Sequence, residues 1–123
     1  MTRDLPEVIA KLAERDEPLV VVNSEGVVVT MSEAATKLWG VDASDVVGEY
    51  VEMLVPSNLR WGHQAYRRGF LAEPSERDMA EGMSPHLERP ANLSQVAIAV
   101  HLEPITVDGQ LFVAAHVSER DGD

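Results

Sequence analysis

The feature that most constrains this chain is the dipeptide Asp108-Gly109, which lies between two runs of alternating apolar residues. Asp-Gly is typical of the two-residue turn of a β-hairpin, because both turn positions need backbone angles that Asp and Gly tolerate. Such a turn pairs Val107 with Gln110, and counting outward pairs His101 with His116. The sequence therefore predicts an antiparallel hairpin with a defined register.

This register gives the hairpin two apolar faces, because successive side chains of a strand point to opposite sides of a sheet. One face, which we expect to be the core, carries Val96, Ile98, Val100, Leu102, Leu111, Val113, Ala115 and Val117. The other face carries Ala97, Ala99, His101, Phe112, Ala114 and His116. The second face is too apolar to be left in water, so we expect a further element to cover it.

Residues 1–16 are the candidate for that cover. Asp4, followed three residues later by Glu7, is typical of a helix N-terminus, and Pro18 ends the pattern. A single apolar stripe with helical spacing consists of Leu5, Val8, Ile9, Leu12 and Ala13. We expect an amphipathic cap helix, packed on its own sheet or on the sheet of a partner in a homodimer.

The rest of the chain predicts one domain over residues 17–120 and a tail at 121–123. The β-branched runs at 19–23 and 27–31 predict a hairpin, and Ser32 and Gly40 bound a short helix. Ser57 is expected to cap a longer helix that runs to about Leu71, and a short strand is expected within 83–89. This order predicts an α+β fold with an antiparallel five-stranded sheet and helices on one face.

Composition excludes several classes of function. The chain has no cysteine, so disulfides, thiolate metal sites and cysteine nucleophiles are absent. Its 21 acidic residues against 10 Lys and Arg give a net charge of −11, which argues against nucleic acid and anionic membrane as partners. With no apolar leader or membrane-length run, we expect a cytoplasmic protein. No catalytic triad, carboxylate pair or phosphate loop is indicated, so we expect no enzyme.

The long helix carries a candidate ligand. Its residues Leu59, His63, Tyr66 and Phe70 share one face, which we expect to point at the core. A neutral imidazole in an apolar pocket can bind a haem iron. The spacing also fits a buried histidine bonded to a backbone carbonyl, or a histidine at the rim of the pocket, so it leaves these interpretations open.

Residues 17–120 resemble the PAS family. The opening PLVVVNSEGVVVTMSEAATKLWGVDASDVVGEYVEMLVP, with its aromatic-Gly pair Trp39-Gly40, and the closing VAIAVHLEPITVDGQLFVAAHVSER carry the resemblance. It implies a sensory or interaction module. Two departures are Ser32, where members usually have Asn, and His116-Val117-Ser118, where they usually have Asp-x-Thr before an output helix.

Within that family, Pro56, Arg60, His63 and Tyr66 match the Pro-x-x-x-Arg-x-x-His-x-x-Tyr pattern of the haem PAS oxygen sensors. The resemblance implies haem b bound through His63, with Met83 of Glu81-Gly82-Met83-Ser84 as sixth ligand, and a gas or the redox state as signal. The expected pocket walls are Leu59, Tyr66 and Phe70 from the helix and Ile98, Val100, Leu111 and Val113 from the sheet. Pro85 stands where the phosphodiesterases of this group have an oxygen-binding Arg, for which Arg77 and Arg89 are the possible replacements.

Other interpretations remain open. A PAS domain without cofactor would act in dimerisation, through the N-terminal helix and outer sheet face, or bind a small apolar or carboxylate ligand that His63 orients. A flavin beside Trp39 and Trp61 is a further alternative, although their positions favour a core Trp39 and a surface Trp61. Two imidazoles, His101 and His116, make an incomplete metal site; we expect an interface there that responds to pH. His86 is expected to be solvated.

Overall fold

The computed structural model describes residues 5–79, 85–90 and 92–120. The helices are α1 (Glu7–Leu12), α2 (Glu33–Trp39), α3 (Ala43–Val46) and α4 (Arg60–Ala72), with 3₁₀ turns at Val51–Leu54 and Ser57–Leu59. The strands are β1 (Leu19–Asn23), β2 (Val28–Met31), β3 (Arg77–Asp78), β4 (His86–Glu88), β5 (Gln95–Val107) and β6 (Gln110–Glu119). They form an antiparallel sheet in the order β2-β1-β6-β5-β3, with β4 also paired to β5. The predicted α+β class is confirmed.

The β5–β6 hairpin has the predicted register. Val107 pairs with Gln110 and His101 pairs with His116. Asp108 and Gly109 have φ angles of 51° and 79°, the left-handed values that a two-residue turn of this kind needs at both positions. The sequence signal was reliable here because the turn itself fixes which residues lie opposite each other.

The predicted count of five strands is wrong, because two short strands share one edge of β5. Arg77 pairs with Leu102 in β3, and further along the same strand His86 pairs with Ala97 in β4. The short strand expected within 83–89 is therefore present. Strand β3 escaped the pattern because both of its residues are charged and exposed, so no apolar alternation marks it.

The two central helices begin in different ways. The Ser32 hydroxyl accepts a hydrogen bond from the Ala35 amide at 3.2 Å and donates one to the Glu17 carbonyl at 2.7 Å, so it caps α2 as expected and ties it to the chain before β1. Ser57 does not cap α4, contrary to expectation, because residues 57–59 form a 3₁₀ turn and the helix begins at Arg60.

Apolar side chains are buried on both faces of the sheet. The inner face packs with α2, α3 and α4 in a cluster that includes Val20, Trp39, Phe70, Val100 and Val113. The outer face packs with α1, and its cluster contains Ile9, Leu12, Leu19, Val21, Phe112 and Ala114. The expected cover of the outer face is thus present, and the chain itself supplies it.

The N-terminal helix is shorter than expected. It ends at Leu12, and Val8, which spacing placed on the apolar stripe, is 50% exposed. Since Ile9 and Leu12 are buried on their own sheet, the predicted homodimer through this helix stays a prediction. The proposed cap residue Asp4 and the tail 121–123 lie outside the described residues. In the described part of the chain, no helix has the length and apolar character needed to cross a membrane.

Candidate functional site

A cavity of about 320 Å³ lies between α4 and the inner face of the sheet. Its lining includes most of the residues that were expected to form a pocket: Leu59, His63, Tyr66 and Phe70 from α4 and its preceding turn, and Ile98, Val100 and Val113 from the sheet. Trp39, Leu54 and several valines complete a mainly apolar wall. A volume of this order fits a small-molecule site.

Two sequence expectations about this pocket are wrong, and a third falls on a residue that the structure does not describe. Leu111 does not line the cavity, because it pairs with Thr106 next to the hairpin turn, away from the strand residues that form the wall. His86, expected to be solvated, is half-buried on β4 and lines the cavity. Met83 lies outside the described residues; Met79 and Pro85, which flank that stretch, both line the cavity.

His63 is held by a carboxylate that the sequence did not reveal. Its Nδ1 lies 2.8 Å from Oε2 of Glu52, and Nε of Arg67 lies 2.9 Å from the same oxygen. The side chains of His63 and Glu52 are 17% and 13% exposed. The hypothesis of a histidine bonded to a backbone carbonyl is therefore wrong. Glu52 sits in a short 3₁₀ turn, where no periodicity points to its partner.

The electrostatics of this group determine which histidine nitrogen is free. Burial raises the pKa of Glu52, but the hydrogen bonds from His63 and Arg67 outweigh that effect and hold the pKa at about 2. Glu52 is therefore an ionised carboxylate, which accepts hydrogen bonds and cannot donate them. Nδ1 of His63 must therefore carry a proton, which it donates to Glu52. When the ring is neutral, its lone pair lies on Nε2. Nε2 is available to coordinate a metal or accept a hydrogen bond.

Arg67 connects this group to the turn between β1 and β2. Its Nη1 donates to the Glu25 carbonyl at 3.1 Å, and its guanidinium lies 5.6 Å from the centre of the Tyr50 ring. Gly26 has φ +83°, and a Cβ there would lie 2.5 Å from the Arg67 side chain. Arg67 is not one of the four residues that share the predicted inward face of α4, yet it lines the cavity, where its head binds the Glu52 carboxylate.

Two side chains at the cavity have unused bonding capacity. The Tyr66 hydroxyl is buried and has no hydrogen-bond partner among the residues that the structure describes. The Arg77 guanidinium lies 5.7 Å from the centre of the Tyr66 ring and 5.2 Å from that of Phe70. Arg89, the other arginine considered beside a bound gas, instead donates to the Leu38 carbonyl at 3.0 Å. Neither arginine is among the lining residues, so the structure supports neither as a gas-binding donor.

The arrangement of strands and helices around this cavity matches solved structures. The PAS domain of an HTR-like protein from Haloarcula marismortui has a TM-score of 0.71, with 18% identity, over 93% of each chain. This chain has the PAS fold. The PAS domain of the Cronobacter turicensis quorum-sensing receptor RpfR, solved in complex with BDSF, also matches, with a TM-score of 0.67 and 12% identity over 88% of this chain and 97% of that chain.

One curated sequence is similar to this PAS-fold chain. The Escherichia coli K12 oxygen sensor protein DosP is 30% identical over 101 residues, which is 81% of this chain. The chain spans 12% of the length of DosP. No family model matches the sequence. The predicted resemblance to PAS domains is therefore confirmed at the level of the fold.

The two tryptophans of the PAS fold do not share a site. Trp39 is 5% exposed, lines the cavity and donates from Nε1 to the Leu54 carbonyl at 3.0 Å. Trp61 is 86% exposed. The expected core and surface positions are confirmed, and since Trp61 does not line the cavity, the two rings do not form one pocket.

The outer face of the sheet carries the other two notable histidines. His101 lies 2.7 Å from Asp78 through Nδ1 and 2.9 Å from Glu76 through Nε2, while His116 lies 2.9 Å from Glu103. The two ring centres are 6.0 Å apart. Hydrogen bonds to Glu76 and Asp78 raise the pKa of His101. Within residues 5–79, 85–90 and 92–120, no group of three or more His, Asp or Glu is arranged to hold a metal ion.

Proposed function

We propose that this PAS-fold domain is a sensory module that binds haem b through His63 and responds to a gas or to redox state. The observation that carries the proposal is the hydrogen bond of 2.8 Å between Nδ1 of His63 and the ionised Glu52, which leaves Nε2 as the coordinating nitrogen. The similarity to a protein named as an oxygen sensor supports a gas as the signal here. We also infer that the domain acts by binding and performs no reaction of its own.

The residues of the cavity fit this cofactor. Apolar side chains surround His63, and such a wall excludes water and favours a flat apolar ring system. When bound, haem would supply an iron that can bind a gas and change its redox state. His63 would hold that iron, and Met83 is the candidate for a second iron ligand, on the strength of the family resemblance.

The chain tunes the proximal histidine through Glu52. A carboxylate that accepts a hydrogen bond from Nδ1–H fixes the ring orientation and makes Nε2 a stronger electron-pair donor to a metal. Arg67 shares the same carboxylate oxygen and withdraws part of its negative charge. Through Arg67 the same group contacts the β1–β2 turn, so a change at His63 would be transmitted to the sheet by way of Glu25. We expect the packing of the sheet on α1 to report the change.

The test is an absorption spectrum of the protein purified with haem supplied, in the oxidised and reduced states. We expect an intense Soret band at one haem per chain, lost in His63→Ala and shifted in Glu52→Gln. Two histidine controls, His86→Ala in the cavity and His101→Ala on the outer face, should retain the band. Loss of the band in His86→Ala but not in His63→Ala would reassign the ligand, and a wild-type protein that takes up no haem would refute the proposal.

A second candidate is favoured by the unpartnered Tyr66 hydroxyl. A PAS domain without haem would bind a small organic molecule in the same cavity, with Tyr66 and Nε2 of His63 as polar contacts. The two candidates give opposite results in one titration: haem uptake saturates at one per chain under the first, while under the second the protein stays colourless and binds an organic ligand that His63→Ala weakens.

A further inference from the structure

We propose that Arg77 and Tyr66 form a carboxylate-binding end of the cavity, which takes the acidic group of a ligand whose apolar body occupies the interior. The acidic group would be a haem propionate or the head of a free organic acid. For haem, this inference rests on the proposed function; for a free acid, it stands without it.

Arg77 is a cation without a counter-charge in the described part of the chain. The structure gives it no hydrogen bond or ion pair there, and its contacts are the two aromatic rings. In contrast, Arg67 pairs with Glu52 and Arg89 with Glu119. Within the described residues Arg60, Arg68 and Arg120 also have no ion pair, but of these four arginines only Arg77 lies over aromatic rings that line the cavity. Planar guanidinium groups bind carboxylates through two parallel hydrogen bonds, which makes Arg77 suited to an external acid.

The position of Arg77 places this charge at the edge of the cavity. Arg77 is paired with Leu102, which lines the cavity, as do the Tyr66 and Phe70 rings beneath the guanidinium. Cation–π contact with both rings restrains the head of an otherwise exposed side chain. Arg77 does not itself line the cavity, so its charge adjoins the interior and remains open to solvent. A ligand would bury its body inside and leave its acidic group beside Arg77.

Tyr66 supplies a second donor to the same place. A buried hydroxyl that makes no hydrogen bond costs free energy, and a ligand that accepts a hydrogen bond from it recovers that cost. The ring that carries this hydroxyl is the one on which Arg77 packs. A single carboxylate can accept from both groups, because each of its oxygens has two acceptor positions. Since the rest of the lining is mainly apolar, the structure favours an amphipathic acid.

The experiment compares acids with their esters. Haemin and its dimethyl ester, and dodecanoic acid and its methyl ester, are titrated into the wild type and into Arg77→Met, Arg77→Lys, Tyr66→Phe and the control Arg68→Met. Arg68 is an exposed arginine of α4, so its variant tests for a general effect of charge. Thermal unfolding confirms that each variant is folded.

We expect Arg77→Met to raise the Kd of the acids about tenfold, as for the loss of one charge-assisted hydrogen bond, and to leave the Kd of the esters unchanged. Arg77→Lys and Tyr66→Phe should each raise the Kd of the acids by about threefold, and Arg68→Met should have no effect. An equal loss for acids and esters, or an equal effect of Arg77→Met and Arg68→Met, overturns the inference.

The haemin titration and the dodecanoic acid titration distinguish this inference from the haem proposal. Haemin binding that does not depend on Arg77 supports the haem proposal and refutes the carboxylate site. Dodecanoate binding that depends on Arg77, in a wild-type protein that takes up no haemin, supports the carboxylate site and refutes haem. A wild-type protein that binds neither acid refutes both.

Discussion

The two faces of the sheet are covered by helices in different ways. On the outer face, the short helix α1 places Ile9 and Leu12 directly against Phe112 and Ala114, and all four are buried. On the inner face, the longer helix α4 buries Phe70 alone and leaves a cavity of about 320 Å³. The comparison shows that the size of a covering helix does not decide how tightly it packs.

The difference follows from the side chains that join each helix to the sheet. α1 contacts the outer face through aliphatic residues, which pack densely because nothing polar has to be satisfied. α4 turns His63 and Arg67 inward, and their polar heads need the Glu52 carboxylate. The cavity lies between this helix and the sheet, and it is the space that we propose for a ligand.

The histidines of the two faces differ in how their ring nitrogens are bonded. His63 shares one carboxylate with Arg67 and keeps one ring nitrogen for a ligand. His101 has a carboxylate at each ring nitrogen, and since carboxylates only accept hydrogen bonds, this geometry fits the doubly protonated ring. The inner histidine is suited to coordination, whereas the outer one is suited to respond to pH.

The largest expected effect tests the packing of the outer face. Phe112 is 1% exposed, so Phe112→Ala should lower the free energy of unfolding by about 3 to 5 kcal/mol through lost burial and a new cavity. Leu59→Ala, on the wall of the existing cavity, should cost about 1 kcal/mol, because space is already present there. Urea unfolding measures both. Equal costs would show that the faces are packed alike.

The next effect tests the polar group of the inner face. The pKa of Glu52 is lowered from 4.5 to about 2, so its carboxylate stabilises the fold above pH 4.5 and loses that contribution as the pH falls towards 2. Allowing for solvent screening, the contribution is about 2 kcal/mol. The stability of the wild type should drop between pH 6 and pH 3 more than that of Glu52→Gln. Parallel pH profiles for the two proteins would contradict this role.

A smaller effect tests the contact between α4 and the β1–β2 turn. Gly26 and Gly40 have φ angles of +83° and +74°, so an alanine at either position is strained by about 1 kcal/mol. Gly26→Ala must also displace Arg67, whereas no atom lies within 4 Å of a Cβ at Gly40. We expect thermal unfolding to show a larger loss for Gly26→Ala, and the excess should disappear in an Arg67→Ala background. Equal losses would show that the Arg67 contact is dispensable.

The smallest effect concerns the pH response of the outer face. The pKa of His101 is raised above 6.5 by Glu76 and Asp78, so the stabilisation by this group is present below pH 6.5 and is lost as the pH rises through the higher value. NMR titration of the ring should give a midpoint above 6.5 that falls in Asp78→Asn. Glu33→Gln, on α2, serves as a control. A midpoint that does not respond to Asp78→Asn would remove the distinction between the two faces.

The parts of the fold that depend on neighbouring residues could be predicted from the sequence. The turn at Asp108-Gly109 fixed the pairing of His101 with His116, Ser32 was recognisable as a cap, and the apolar outer face required the cover that α1 provides. Each of these rests on alternation, helical spacing or turn chemistry, which act over a few residues. The inward stripe of α4 was predictable for the same reason.

Contacts between distant segments were decided by the tertiary structure. The sequence does not show that Glu52 meets His63, that Arg77 lies over Tyr66, that Leu111 falls beyond the cavity, or that β3 and β4 share an edge. These pairings depend on the path of the chain between elements, and charged residues carry no periodicity that would reveal it. The sequence by itself determined the strands other than β3, the helix that covers the outer face, and the face of α4 on which His63 lies. Only the folded chain decided which carboxylate holds His63 and which cation lies over the rings at the edge of the cavity, because both are properties of segments brought together across the domain.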